Sequence, residues 1–265
     1  MDDERAAHGM IDASPRAAHG MIDGSPRAAR AIERFLGSRA GRAFVDGVIT
    51  YFSASLQGIE NIPRTGGALL VVNHGMNGHD GILLGALLHR DVGRLPFWLG
   101  EHNLWRIPGF GRLARFIDAI PGERDAAAEI LRRGEIVVVY PGGIDDSFKL
   151  WTERHRLQWG KRAGFARVAM AAGVPIVPVA AHGVDDMFTT VAREPWLGRR
   201  VLGHSKYDLP ISFGLWGTPV PRPVRVTIRA LPPVDTSGDP ASAADVERVR
   251  AAVFAAVQGD LAGPG

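Results

Sequence analysis

Five short aliphatic runs, separated by stretches with helical spacing, limit what this chain can fold into more than any other feature. They are ALLVVN (68–73), RLPFWLG (94–100), EIVVVYPGG (135–143), VPIVPVAAHG (174–183) and VRVTIRA (224–230). A strand wetted on one side alternates apolar and polar residues, whereas a continuous aliphatic run has to be covered on both faces. Between the runs lie GILLGALLHR, AAAEILRRG and FARVAMAAG, the last two ending in glycine, a common helix stop. That order predicts an α/β fold, a largely parallel sheet flanked by helices. With 265 residues, 46% of them hydrophobic and 22% charged, the chain has enough apolar material for one large core.

The ends of the chain read differently. RAAHGMIDASP from Arg5 is repeated as RAAHGMIDGSP from Arg16, and a third copy begins at Arg27. Each unit carries glycine and proline and too few apolar residues to bury a face. Residues 1–27 are therefore expected to be a flexible, repeat-containing tail, which makes His8 and His19 poor ligand candidates, with one domain over 28–265. From Ala28 to about Val48, Ile32, Phe35, Leu36, Phe44, Val45 and Val48 fall on one face of a helix whose other positions are rich in arginine, a pattern that suits a core or a lipid surface. Residues 190–223, rich in proline and without periodicity, suggest an insertion or lid, and ASAADVERVRAAVFAAVQGDLA suggests a closing amphipathic helix.

Composition removes several classes of chemistry. Cysteine is absent, so there is no disulfide framework, zinc–thiolate site or thiol nucleophile. No G-x-S-x-G elbow of a serine hydrolase occurs. Formal charge is +3 with a sequence pI near 9.7, and cations cluster in RHRLQWGKR (154–162), fitting a solvated face, a phosphorylated cofactor or an anionic membrane. The cations are not interleaved with stacking aromatics as in a nucleic-acid module, so no nucleic-acid partner is expected. No apolar run reaches the roughly 18–20 residues of a spanning helix, and the N-terminus lacks the order of a signal peptide. The expected location is cytoplasmic, with peripheral contact on the inner face of the membrane.

Chemistry concentrates in LLVVNHGMNGHDGILLG (69–85), where aliphatics stop at Asn73 and two histidines, an aspartate and three glycines follow before they resume. In open α/β sheets sites form at the carboxyl ends of strands, where this stretch begins. A lone imidazole is a poorly oriented base; an aspartate bonded to one ring nitrogen fixes its tautomer and stabilises the imidazolium. His74 and Asp80 have that composition. In VVVYPGGIDD, Gly142 and Gly143 either bring backbone N–H groups close to a ligand or make an ordinary turn.

Taken in order, NHGMNGHDG, IPGFGRLARFIDAIPGERDAA, VVVYPGGIDDSFKLWTERHRLQWGKRAGFARVA and GVPIVPVAAHG resemble the four sequence blocks of the glycerolipid acyltransferase superfamily, and most of all its monoacylglycerol and diacylglycerol acyltransferase-like branch. The likeness covers about residues 56–183. It implies a glycerol-3-phosphate acyltransferase-like fold and acyl transfer from a thioester donor, acyl-CoA or acyl carrier protein, to a lipid hydroxyl, with no cofactor beyond acyl-CoA as co-substrate and no metal. His74 would be the general base and Asp80 its orienting partner. Asn73, Arg124, Pro141, Gly142, Gly143, Lys161 and Arg162 match the family's substrate-binding positions.

Two departures bear on the substrate. The widespread spacing H-x-x-x-x-D lands on His79 when counted from His74, and the aspartate follows at Asp80; the neutral-lipid branch tolerates the longer spacing, and His79 is the competing base. In the third block phosphate-acceptor relatives carry E-G-T-R, whereas here the run is GGIDD. Asp145 thus replaces a cation where an acceptor phosphate would sit, favouring an uncharged acceptor such as a mono- or diacylglycerol or an alcohol. The alternatives are a lysophospholipid or glycerol-phosphate acyltransferase, a metal-dependent hydrolase with His74, His79 and Asp80 as ligands and His182 and Asp185 as possible additions, and a non-enzymatic relative marked by Asp145 and Asp146.

Overall fold

The computed structural model describes residues 26–100, 117–194 and 208–263. The tail expected over 1–27, apart from its last two residues, the IPGFG segment and residues 195–207 of the expected insertion lie outside the described residues.

Nine strands are described: β1 (Ser55–Gln57), β2 (Ala68–Val72), β3 (Phe97–Gly100), β4 (Ala119–Pro121), β5 (Ile136–Val139), β6 (Ile176–His182), β7 (Thr189–Glu194), β8 (Leu209–Phe213) and β9 (Thr227–Ala230). Seven form one sheet in the order β1-β9-β6-β2-β5-β3-β4, and only the β6–β9 pair is antiparallel. The expectation of a largely parallel sheet holds. β7 and β8 make a separate antiparallel pair with an irregularity between Thr190 and Ala192. Part of the segment read as aperiodic insertion is therefore regular structure.

The described α-helices are α1 (Pro26–Gly37), α2 (Arg39–Tyr51), α3 (His79–Leu87), α4 (Arg124–Arg132), α5 (Gly143–Ser147), α6 (Gly164–Ala172) and α7 (Ala243–Leu261), with short 3-10 turns and one π turn between elements. The single helix expected over 28–48 is two, because Ser38 leaves helical geometry and caps α2, its hydroxyl accepting the Gly41 N–H at 3.0 Å.

β2 shows why the sheet lies inside. All five of its residues are buried. Successive side chains on a strand point to opposite faces, so Leu70 and Val72 join the core beneath α2 and α3, with Val45, Ile49, Leu83 and Leu87. Leu69 and Val71 join the other core, with Ala127, Leu131, Phe165, Val249 and Val253 from α4, α6 and α7. Burying a side chain of this size stabilises the fold by about 1.5–3 kcal/mol before entropy is counted. Two cores on two faces make a three-layer α/β/α arrangement with β2 at its centre, so whatever follows Val72 is held at the middle of the sheet's carboxyl edge.

Candidate active site

The parallel strands deliver their following loops to one edge. His74 comes after β2, the Tyr140–Gly143 turn after β5, and Arg124 shortly after β4. Asn73 carries the β2 pairing one residue further with its side chain: Nδ2 donates to the Ala181 carbonyl (3.0 Å) and Oδ1 accepts the Ala181 N–H (2.7 Å). Fully buried, Asn73 braces β2 against β6 through both ends of its amide.

His74 and Asp80 meet. Nδ1–H of His74 donates to Asp80 Oδ2 at 2.9 Å, with 21% of the histidine side chain exposed against 1% of the aspartate. Asp80 sits in the first turn of α3, whose positive end also favours a carboxylate. Since the carboxylate only accepts, Nδ1 carries the proton and Nε2 is the free lone pair; Nε2 makes no hydrogen bond among the described residues. Burial opposes a charged ring, but Asp80, through its charge and hydrogen bond, and Asp146 outweigh both burial and Lys149, and the His74 pKa is held above 6.5.

His79 is set up differently. Its Nδ1–H donates to the Met76 carbonyl at 3.0 Å and its ring lies against Phe188, with no carboxylate partner among the described residues. Of the two histidines, His74 has the geometry of an oriented base.

Tyr140 covers one face of the base, its ring stacked on that of His74 with centroids 4.2 Å apart. Trp98 from β3 continues the layer, parallel to Tyr140 within 6°. The Tyr140 hydroxyl and Asp80 Oδ1 are both buried and neither reaches hydrogen-bond geometry with a partner. Burial first, and the Asp80 charge second, raise the phenol pKa well above the ordinary tyrosine value, so it stays protonated.

The third block supplies the other wall. Pro141 and Gly142 are buried. A Cβ on Gly142 would stand 2.2 Å from Asp146 Cβ, so glycine is what lets α5 fold back beneath the turn. Gly143 has a left-handed backbone (φ 49°), and its N–H goes to the Tyr140 carbonyl (3.0 Å), leaving that N–H unable to serve an oxyanion. The exposed Asp145 forms an ion pair with Arg162, which also donates to the carbonyls of Gly142 (3.2 Å) and Gln158 (3.3 Å). Lys161 and Arg124 are exposed and make no ion pair among the described residues, with the Arg124 guanidinium about 4.0 Å from where a Gly164 side chain would begin. Arg154 stacks on Trp151 at 4.3 Å.

Asp146 and Asp185, read as a departure and as a possible metal ligand, are structural. Both pair with Lys149 Nζ, at 3.1 and 3.2 Å, below the surface. Asp146 also takes the His74 main-chain N–H at 2.8 Å, a contact spanning 72 residues that no local spacing reveals. His182 donates to Asp260 Oδ2 at 2.6 Å, and Asp260 accepts from Arg229 at 2.8 Å, which ties α7 to the sheet. The ligand set His74, His79, Asp80, His182 and Asp185 is thus not assembled, and among the described residues no group of three or more histidine or carboxylate side chains could hold a metal ion.

Residues 53–182, which contain His74, Asp80, Arg124, the glycine turn, Lys161 and Arg162, match the model of the family described as Acyltransferase. That stretch belongs to the acyltransferase family. It is 33% identical over 167 residues to the human protein named "DGAT1/2-independent enzyme synthesizing storage lipids", a match covering 62% of this chain and 50% of that one. It is 30% identical over 205 residues to an uncharacterized protein of Mycobacterium tuberculosis, covering 74% and 56%. The chain therefore spans about half the length of the curated relatives it matches. Among solved structures, the 1-acyl-sn-glycerophosphate acyltransferase PlsC of Thermotoga maritima shares the fold, with a TM-score of 0.51, 18% identity and 91% of each chain covered. The acyltransferase fold expected from the four blocks is present.

Proposed function

We propose that this acyltransferase moves a fatty acyl group from acyl-CoA to a hydroxyl of a neutral lipid acceptor, a mono- or diacylglycerol or an alcohol, within one domain over residues 28–265. The observation that carries the reading is the His74–Asp80 hydrogen bond at the carboxyl edge. Nε2 of His74 removes the acceptor proton as the oxygen attacks the thioester carbonyl; the new C–O bond forms, the C–S bond breaks, and the proton passes from the imidazolium to the leaving thiolate. Asp80 stabilises the imidazolium in between. Lys161 and Arg124 provide cations for the phosphates of the donor, and Arg162 holds the glycine turn through the Gly142 carbonyl.

The Asp145–Arg162 pair supports a neutral acceptor, because a cation next to the glycine turn already has its counterion. A lysophospholipid or glycerol phosphate acceptor would place a second anion there. Work on a lipophilic acceptor also fits a cytoplasmic protein resting on the inner face of a membrane, and among the described residues no helix is long and apolar enough to cross one.

The test is transfer of a radiolabelled acyl group from acyl-CoA, or from acyl carrier protein in parallel, to a panel of diacylglycerol, monoacylglycerol, long-chain alcohol and lysophosphatidic acid. Transfer to the uncharged acceptors is expected, falling about 10²- to 10⁴-fold in a folded His74→Ala variant. Transfer confined to lysophosphatidic acid would overturn the acceptor assignment, and a fully active His74→Ala variant would overturn the base.

A further inference from the structure

Two side chains of α5 grip the main chain on either side of the base. Asp146 Oδ2 accepts the His74 N–H at 2.8 Å, and Ser147 Oγ donates to the Gly75 carbonyl at 2.9 Å. Asp146 has no solvent exposure. Its other oxygen accepts the Gln158 N–H at 3.1 Å and lies 3.1 Å from Lys149 Nζ. Lys149, itself 5% exposed, is shared with Asp185, which accepts the His155 N–H at 2.7 Å. Burial works against the ammonium, but Asp146 and Asp185 outweigh it and raise the Lys149 pKa, so the cation persists. A buried ion network is a costly way to stiffen a loop, since apolar packing of the same volume is often as stable. What apolar packing cannot do is hold a peptide N–H at a set distance and direction.

We propose that Asp146 and Ser147 form a positioning clamp that fixes the His74–Gly75 backbone, and thereby the place of the His74 ring relative to the acceptor hydroxyl, independently of the grip of Asp80 on the ring itself. The inference rests on the reading of His74 as the base. It gives the third block a task beyond lining the substrate site. Asp146 also adds negative charge near the ring, alongside Asp80 and against Lys149, while Tyr140 covers the ring face. Misplacing a base by about 1 Å costs on the order of 10²-fold in rate without loosening substrate binding.

Steady-state kinetics of Asp146→Ala, Asp146→Asn and Ser147→Ala, each checked for folding by circular dichroism and thermal melting, test the clamp. Asp146→Ala leaves Lys149 paired with Asp185. It is expected to lower kcat about 10- to 100-fold with the KM for acyl-CoA within about twofold of the parent. Asp146→Asn is expected to move the acid limb of the kcat/KM profile to lower pH as well, because a negative charge near the imidazole is removed. Ser147→Ala is expected to lower kcat by about three- to tenfold without moving that limb, and it keeps the test open if the Asp146 variants do not fold. Folded variants with parental kcat and pH profile, or losses matched by the unfolded fraction alone, would overturn the clamp. An active His74→Ala variant would overturn the base assignment first and remove the purpose of the clamp with it.

Discussion

At residue 74 a histidine is held from three sides: Asp80 on Nδ1, Tyr140 on one ring face and Asp146 on the main chain. Only the first of these was legible in the sequence. Asp80 lies six residues away, on the helix that the same loop begins, so a local count finds it. Tyr140 and Asp146 come from the turn after β5, and Asn73 finds its partner in Ala181; these contacts exist because neighbouring parallel strands end at the same edge, which a linear pattern does not display. Asp146, which beside Asp145 reads as a mark of a non-enzymatic relative, turns its carboxylate inward onto the His74 N–H. The arrangement around His74 fixes the direction of a pH effect. A general base has to be neutral, and its raised pKa means that the neutral fraction declines as pH falls through a value above 6.5. The acid limb of kcat/KM is expected above pH 6.5 in the parent. His79→Ala, which removes a ring bonded only to the Met76 carbonyl, is expected to retain the limb and most of the activity; a dead His79→Ala variant beside an active His74→Ala variant would exchange their roles.

Among the elements, those that announced themselves were buried on both faces. β2, β5 and β6 are continuous aliphatic runs because each has helices on two sides, and α4 and α6 end near the glycines that marked them. The three-residue strands β1 and β4 are too short to show any period, and β7 and β8 are partly exposed, with proline and polar residues in their runs. The break between α1 and α2 rests on one serine hydroxyl, a signal easily lost inside an apolar pattern that continues across it. Because β2 contributes to both cores and carries His74, the proposed base, just past its end, its packing is expected to govern stability and activity together. Leu70, fully buried, has neighbours from helices and strands that cannot close around a missing side chain, so Leu70→Ala is expected to cost about 2–5 kcal/mol in urea unfolding. An effect below about 1 kcal/mol would mean that the face of β2 beneath α2 and α3 is not tightly packed.

For the whole molecule, the proposed function requires a water-exposed edge to reach a lipid acceptor. Beyond the β7–β8 pair the chain makes a turn held by the Gly214 N–H on the Thr218 carbonyl and the Leu215 N–H on the Val220 carbonyl, both at 2.7 Å. At its tip Trp216 is 90% exposed and held in a left-handed conformation (φ 52°) that bulky residues seldom adopt. Phe213 and Val220 beside it are also exposed, and the hydroxyl of the exposed Tyr51, at the end of α2, donates to the Pro221 carbonyl at 2.7 Å. Arg222 braces the same turn through Thr189 Oγ1 and the Phe213 and Asp186 carbonyls, and makes no ion pair among the described residues. Aromatic residues at a tip with a cation close by suit the headgroup region of an anionic bilayer. We propose the peripheral contact at the Trp216 turn and the end of α2, in addition to the basic amphipathic N-terminal stretch. Sinking about half of a tryptophan, on the order of 100 Å², at about 25 cal/mol per Å² contributes about 2.5 kcal/mol, more than tenfold in partitioning. In flotation with vesicles containing anionic phospholipid, the parent is expected to rise with the lipid at low salt and less so at high salt, and Trp216→Ala is expected to remain largely at the bottom while still transferring acyl groups to a water-dispersed alcohol. Equal flotation of parent and variant would move the contact elsewhere on the surface, and no flotation of the parent would remove it.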